Sequence, residues 1–74
     1  MRYEVIRSVD DRGLHIIFAE GTFGMLPERV RQHLGPWKGL TEGDVSSLKP
    51  HYRVQLAEQG FVVLYQRISN FSEG

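Results

Sequence analysis

The stretch Leu34-Gly35-Pro36-Trp37-Lys38-Gly39-Leu40 carries the only tryptophan of the chain, set between two glycines and beside a proline. Glycine supplies backbone conformations closed to other residues and proline fixes φ, so the stretch reads as a connector built of turns. A large aromatic held on such a connector either plugs the core or is presented to a partner. No motif here or elsewhere in the chain identifies a chemistry, so function has to be approached by exclusion.

Upstream of the connector, Leu26-Pro27-Glu28-Arg29-Val30-Arg31-Gln32-His33-Leu34 has the marks of a short helix. Proline stands near the first helical position, a carboxylate lies in the first turn, histidine lies near the end, and Gly35 stops it. Met25 or Leu26, Val30 and Leu34 form the apolar stripe, leaving Arg29, Arg31 and Gln32 outward. Further upstream, Arg2 to Val9 and Leu14 to Ala19 are rich in β-branched and aromatic residues. The spacer Asp10-Asp11-Arg12-Gly13 predicts a hairpin between them. In the second strand Leu14, Ile16 and Phe18 share one face, while His15, Ile17 and Ala19 make a mixed, half-covered one. Glu20-Gly21 signals another turn, with a very short strand expected at Thr22-Phe23.

Downstream of the connector, a short helix is expected from Asp44 to Leu48, with Thr41 as N-cap and Asp44 in the place of the usual glutamate of a capping box. Pro50 opens a clearer helix to Gln59, closed by Gly60, and Leu48, Tyr52 and Leu56 at four-residue steps belong to the core. Phe61-Val62-Val63-Leu64-Tyr65-Gln66-Arg67-Ile68 is apolar on both faces over its first five residues, which predicts a central strand. Ser69 to Gly74 reads as a tail that Phe71 tucks down. The expected fold is α+β: a small antiparallel sheet of about three main strands with two to three short helices packed around it.

A chain of 74 residues is read as one domain over 1–74. A domain of this size buries only ~60% of its unfolded surface, so its stability is modest. Cysteine is absent, which excludes disulfides, thiolate zinc sites and a cysteine nucleophile. Hydrophobic residues at 41% and charged residues at 24% place the chain among folded domains and away from disorder. The opening Met1-Arg2-Tyr3-Glu4-Val5-Ile6-Arg7 is charged and alternating, so neither a signal peptide nor a membrane span is expected, and the expected location is the cytoplasm.

General-base chemistry near neutral pH would fall to His15, His33 or His51, which lie on a strand, a helix end and a helix start. They read as surface or helix-terminal histidines: no two have the spacing of a metal site, and no His-Glu-x-x-His occurs. Ser46, Ser47, Ser69 and Thr41 lack the glycines of a nucleophile elbow. Gly35, Gly39 and Gly43 recur at four-residue steps without continuing into the lysine and hydroxyl of a phosphate-binding loop. No catalytic residue, cofactor or metal is expected, and the chain is read as a non-enzymatic binding protein.

The net charge is zero, with nine basic and nine acidic residues. Its distribution is uneven: Arg29, Arg31, Lys38, Lys49 and Arg53 surround the tryptophan against only Glu42 and Asp44. A protein-binding patch of Trp37 with Pro36, Lys38, Tyr52 and Arg53 is one reading, because tryptophan, tyrosine and arginine dominate interface hot spots. Contact of the same cations with nucleic-acid phosphates is the other, and the zero net charge and the lack of a ribonucleoprotein-type aromatic motif weigh against it. A second candidate surface is acidic, with Asp10, Asp11, Glu42 and Asp44 imitating phosphates toward a basic groove.

The pattern Leu34-Gly35-Pro36-Trp37-x-Gly39-Leu40, Gly43-Asp44, Leu48-Lys49-Pro50-x-Tyr52-Arg53 and Gly60-Phe61-Val62-Val63-Leu64 resembles that of short uncharacterised proteins of bacteria and their prophages. It consists of turn, cap and core residues and marks a fold more than an activity. In size and style the chain also resembles phage anti-CRISPR proteins, which share no motif that could be carried onto positions here. That resemblance implies a small inhibitor that binds a type I CRISPR-Cas effector complex and blocks recognition of target DNA; the chain itself is expected to be a monomer or a weak homodimer. The expected contacts are Arg29, Arg31, Trp37, Lys38, Lys49 and Arg53, and the alternative is a small nucleic-acid-binding regulator.

Overall fold

The computed structural model describes residues 1–65. Over these the chain runs β1 (Arg2–Ser8), β2 (Leu14–Ala19), a 3-10 turn (Phe23–Met25), α1 (Glu28–Leu34), β3 (Trp37–Asp44), a second 3-10 turn (Val45–Ser47), α2 (Pro50–Gln59) and β4 (Phe61–Tyr65). The strands form one antiparallel sheet in the order β3-β1-β2-β4. The fold is α+β as expected, with one strand more than the sequence suggested because the connector after Pro36 is itself β3.

The hairpin forms as its turn residues dictate. The Asp11 amide donates to Ser8 Oγ and its carboxylate accepts from the Gly13 amide, both at 3.2 Å, so the side chains close the turn. The register sets Val5 against Ile17 and Ile6 against Ile16. Alternation then sends neighbouring residues to opposite faces. Tyr3, Val5, Ile17 and Val62 pack with Leu48, Tyr52 and Leu56 of the α2 side, and Ile6, Leu14, Ile16 and Phe18 pack with Leu26 and Leu34 of the α1 side. The sheet is thus the middle of three layers. Leu14, His15, Ile16, Ile17 and Phe18 are all buried, so β2 is its most enclosed strand. Each large apolar side chain removed from water contributes about 1.5–3 kcal/mol against the entropy of ordering it.

Several expectations are corrected. Among the described strands β4 is at the edge, bonded to β2 alone, with Val63 39% and Tyr65 63% exposed. Apolar residues on both faces report covering layers above and below a strand, and say nothing of a hydrogen-bonded neighbour beside it. The central pair is β1 and β2. His15 is buried on the α2 face, with Nδ1 3.0 Å from the Gly13 carbonyl, and is neither a surface nor a helix-terminal histidine. Thr22-Phe23 enters a 3-10 turn, which Thr22 Oγ1 ties back to the Ala19 carbonyl at 2.7 Å. Leu26, not Met25, takes the apolar stripe. The helix expected from Asp44 to Leu48 is a single 3-10 turn capped by Asp44 itself, and Thr41 lies inside β3. α2 keeps its expected bounds and closes on Gly60 at φ 86°. Residues 66–68 of the last expected strand, and the expected tail with Phe71, lie outside the described residues.

Candidate functional site

The site is built on β3, and Gly35 delivers the chain to it. At φ 63° and ψ −147°, Gly35 holds a conformation that is essentially restricted to glycine, which turns the chain out of α1. The Val9 amide then bonds the Pro36 carbonyl at 2.8 Å and sets β3 beside β1. Pairing runs from Ser8 opposite Trp37 to Arg2 opposite Asp44 and shifts between Val5 and Ile6, where β3 carries one extra residue, Leu40. A bulge of this kind is a common way to blunt an unpaired sheet edge. It also decides which side chains share a face: Trp37, Gly39 and Glu42 fall on the α1 side with Glu4 and Ile6, whereas Lys38 and Thr41 fall on the α2 side with Arg7 and Val5.

α1 sits over the β2 and β4 half of its face, where Arg29, Val30 and His33 line one groove with Leu14, Ile16 and Val63. The β1 and β3 half is left as an open cleft of about 390 Å³, lined among others by Phe18, Phe23, Trp37, Leu40, Glu4 and Glu42. Three aromatics step outward through it. Phe18 is buried, Phe23 lies 5.9 Å from it, and Trp37 lies 4.9 Å from Phe23 with 44% of its surface exposed. The indole therefore does both things the sequence left open, covering the core with one part and facing solvent with the other.

The charges beside the indole are mostly negative. Glu4 and Glu42 stand directly opposite each other in the register and both line the cleft. Arg2 reaches Glu42 at 3.6 Å and Glu20 at 3.4 Å, in pairs that are half exposed. Such pairs contribute little to stability and exchange readily with solvent or a partner. The Glu4 carboxylate accepts a long bond from the Gly21 amide at 3.4 Å. At the end of β3, hydrogen bonds from the Ser46 backbone and side chain hold the Asp44 carboxyl below its ordinary value.

The six residues singled out in the sequence are divided between the two sides of the molecule. Trp37 lines the cleft, Arg29 and Arg31 belong to α1 on the same side of the sheet, and Lys38 faces the α2 side opposite Arg7. Lys49 is the N-cap of α2, and Arg53 on α2 donates from Nη1 to the Ser46 carbonyl at 3.3 Å. Of the acidic set, Glu42 joins Trp37, Asp44 caps the turn that follows, and Asp10 and Asp11 stay in the hairpin loop. Sequence reasoning missed Phe23 and Glu4. Glu4 was findable, since it alternates in step with Ile6, whereas Phe23 meets Trp37 only through a turn the pattern did not reveal.

His33 Nε2 lies 2.7 Å from the Tyr65 hydroxyl, tying the end of α1 to β4, and the His51 ring lies tilted against Tyr52 with centroids 4.0 Å apart. Among the described residues no group of three or more histidines and carboxylates is placed to hold a metal ion, and no helix is long and apolar enough to cross a membrane. No family model, no curated protein and no solved structure matches the chain.

Proposed function

We propose that this chain is a non-enzymatic binding protein that engages another protein through the uncovered half of its α1 face, with Trp37 as the anchor. The observation that carries this reading is the half-exposed indole packed at a tilt against Phe23 at the wall of an open cleft. Tryptophan fixed by packing on one side and open on the other is the residue type most enriched at interface hot spots, since its ordering has already been accomplished in the free protein. The sharpest version of the partner is a type I CRISPR-Cas effector complex, which the resemblance to anti-CRISPR proteins suggests. The carboxylates beside Trp37 suit the basic surface of a nucleic-acid-binding protein better than they suit nucleic acid itself. Direct binding of nucleic acid is the weaker reading, because the five cations of the middle segment are split between two sides of the sheet.

Capture from nuclease-treated host lysate, with the wild type and Trp37→Ala in parallel, tests the proposal. The wild type retains a protein partner that Trp37→Ala loses while keeping its fold by circular dichroism. Retention of the same partner by both, or loss of every partner on nuclease treatment, would overturn it.

A further inference from the structure

We infer that the cleft beside Trp37 is an arginine-recognition subsite: it takes the guanidinium of an arginine on the partner protein, held between the indole face and the carboxylates of Glu4 and Glu42. This rests on the proposed use of the α1 face for protein binding and names the chemistry of the contact. Glu4 and Glu42 face each other in register across β1 and β3. Like charges placed directly opposite on a sheet are unfavourable, and a cation bridging them removes the penalty. The chain's own Arg2 already approaches Glu42 through Nη2, at 3.6 Å, while its Nε is engaged with Glu20 at 3.4 Å. The guanidinium of Arg2 thus serves one carboxylate of the pair, and among the described residues Glu4 keeps the long bond from Gly21. The wall of the same cleft is the Trp37 ring, and Leu40 lies beside it.

Aromatic face and carboxylates in one cleft select a cation, and they select arginine over lysine. A guanidinium is planar, stacks on indole, and presents paired donors to carboxylates, whereas an ammonium is a compact and strongly hydrated point charge. The acids also disfavour phosphate and acidic peptides as occupants.

Trp37 is the only tryptophan, so its fluorescence reports occupancy of the cleft without a label. The probes are hexa-arginine and hexalysine peptides of equal length and charge, titrated against the wild type, Glu4→Gln and Glu42→Gln, with circular dichroism as the check on folding. The expected result is a saturable change with hexa-arginine, binding of hexalysine weaker by about tenfold or more, and a loss of about tenfold in arginine affinity for each glutamine variant. Equal affinity for the two peptides, or glutamine variants that bind hexa-arginine like the wild type, would overturn the subsite. The lysate capture separates the two proposals. A partner that Trp37→Ala loses but both glutamine variants keep refutes the arginine subsite alone. A partner unaffected by Trp37→Ala, alongside a normal hexa-arginine titration, refutes only the wider binding proposal.

Discussion

Two glycines of β3 are expected to respond to the same substitution with opposite signs. A methyl group on Gly43 would lie 3.0 Å from Cε1 and from the hydroxyl oxygen of Tyr3, and 3.1 Å from Cζ. Tyr3 is the residue opposite Gly43 in the register and is only 3% exposed, wedged among Val5, Tyr52 and Leu56, so its ring has little room to yield. Overpacking of this kind costs about 1–3 kcal/mol, against about 0.5–1 kcal/mol regained by replacing glycine with alanine in a strand. Gly43→Ala is therefore expected to lose about 1–2 kcal/mol, or a melting temperature lower by roughly 4–16 °C in a domain this size. Gly39→Ala meets nothing within 4 Å and has no left-handed backbone to relieve, so it should gain about 0.5 kcal/mol. Urea unfolding followed by circular dichroism and by Trp37 fluorescence measures both. In a Tyr3→Phe background, which removes the hydroxyl, the Gly43→Ala penalty should shrink. A Gly43→Ala protein as stable as the wild type, or equal losses at the two positions, would refute the placement of Tyr3 over β3.

Gly60, at φ 86°, caps α2 in the left-handed region. Gly60→Ala should cost about 1–2 kcal/mol and Gly60→Asn less, measured by thermal melts. Ile17 lies fully buried at the centre of the sheet, so Ile17→Ala should cost about 2–5 kcal/mol, close to the whole stability of a small domain, and Ile17→Val about 0.5–1.5 kcal/mol. The Asp44 carboxyl is held below its ordinary value of 3.8 by the Ser46 hydrogen bonds. As pH falls the unfolded chain takes up that proton first, so the contribution of Asp44 is fully present above the ordinary value and lost as pH drops through the lower folded one. Urea midpoints between about pH 5 and about pH 2 should therefore fall more steeply for the wild type than for Asp44→Asn; parallel curves would refute the cap.

The hairpin, α2 and the core set Leu48, Tyr52 and Leu56 were legible because their signals are local. Asp11 and Gly13 close their turn within three residues, and Pro50 and Gly60 punctuate a helix whose apolar steps fall on one stripe. β3 was not legible for the opposite reason. Trp-Lys-Gly-Leu-Thr-Glu-Gly-Asp has no two-residue alternation, its glycines imitate a loop, and its strand conformation is imposed by pairing with β1 around the Leu40 bulge. The same long-range pairing hides the site. Whether Glu42 or Thr41 shares a face with Trp37 depends on that one extra residue, and a straight strand would have put Glu42 with Lys38 on the other side of the sheet. β4 was recognised as a strand yet misplaced, since the covering of its faces and the pairing of its edges have separate causes.

The binding proposal depends first on Trp37 standing at an open surface and not filling the core. Acrylamide quenching of the intrinsic fluorescence reads this directly, because no other tryptophan contributes. The folded protein should be quenched readily, though less than the same chain in denaturant, in keeping with an indole 44% exposed and packed against Phe23. Fluorescence that acrylamide barely reaches in the folded protein would place the indole in the interior and contradict both the cleft and the binding role assigned to it.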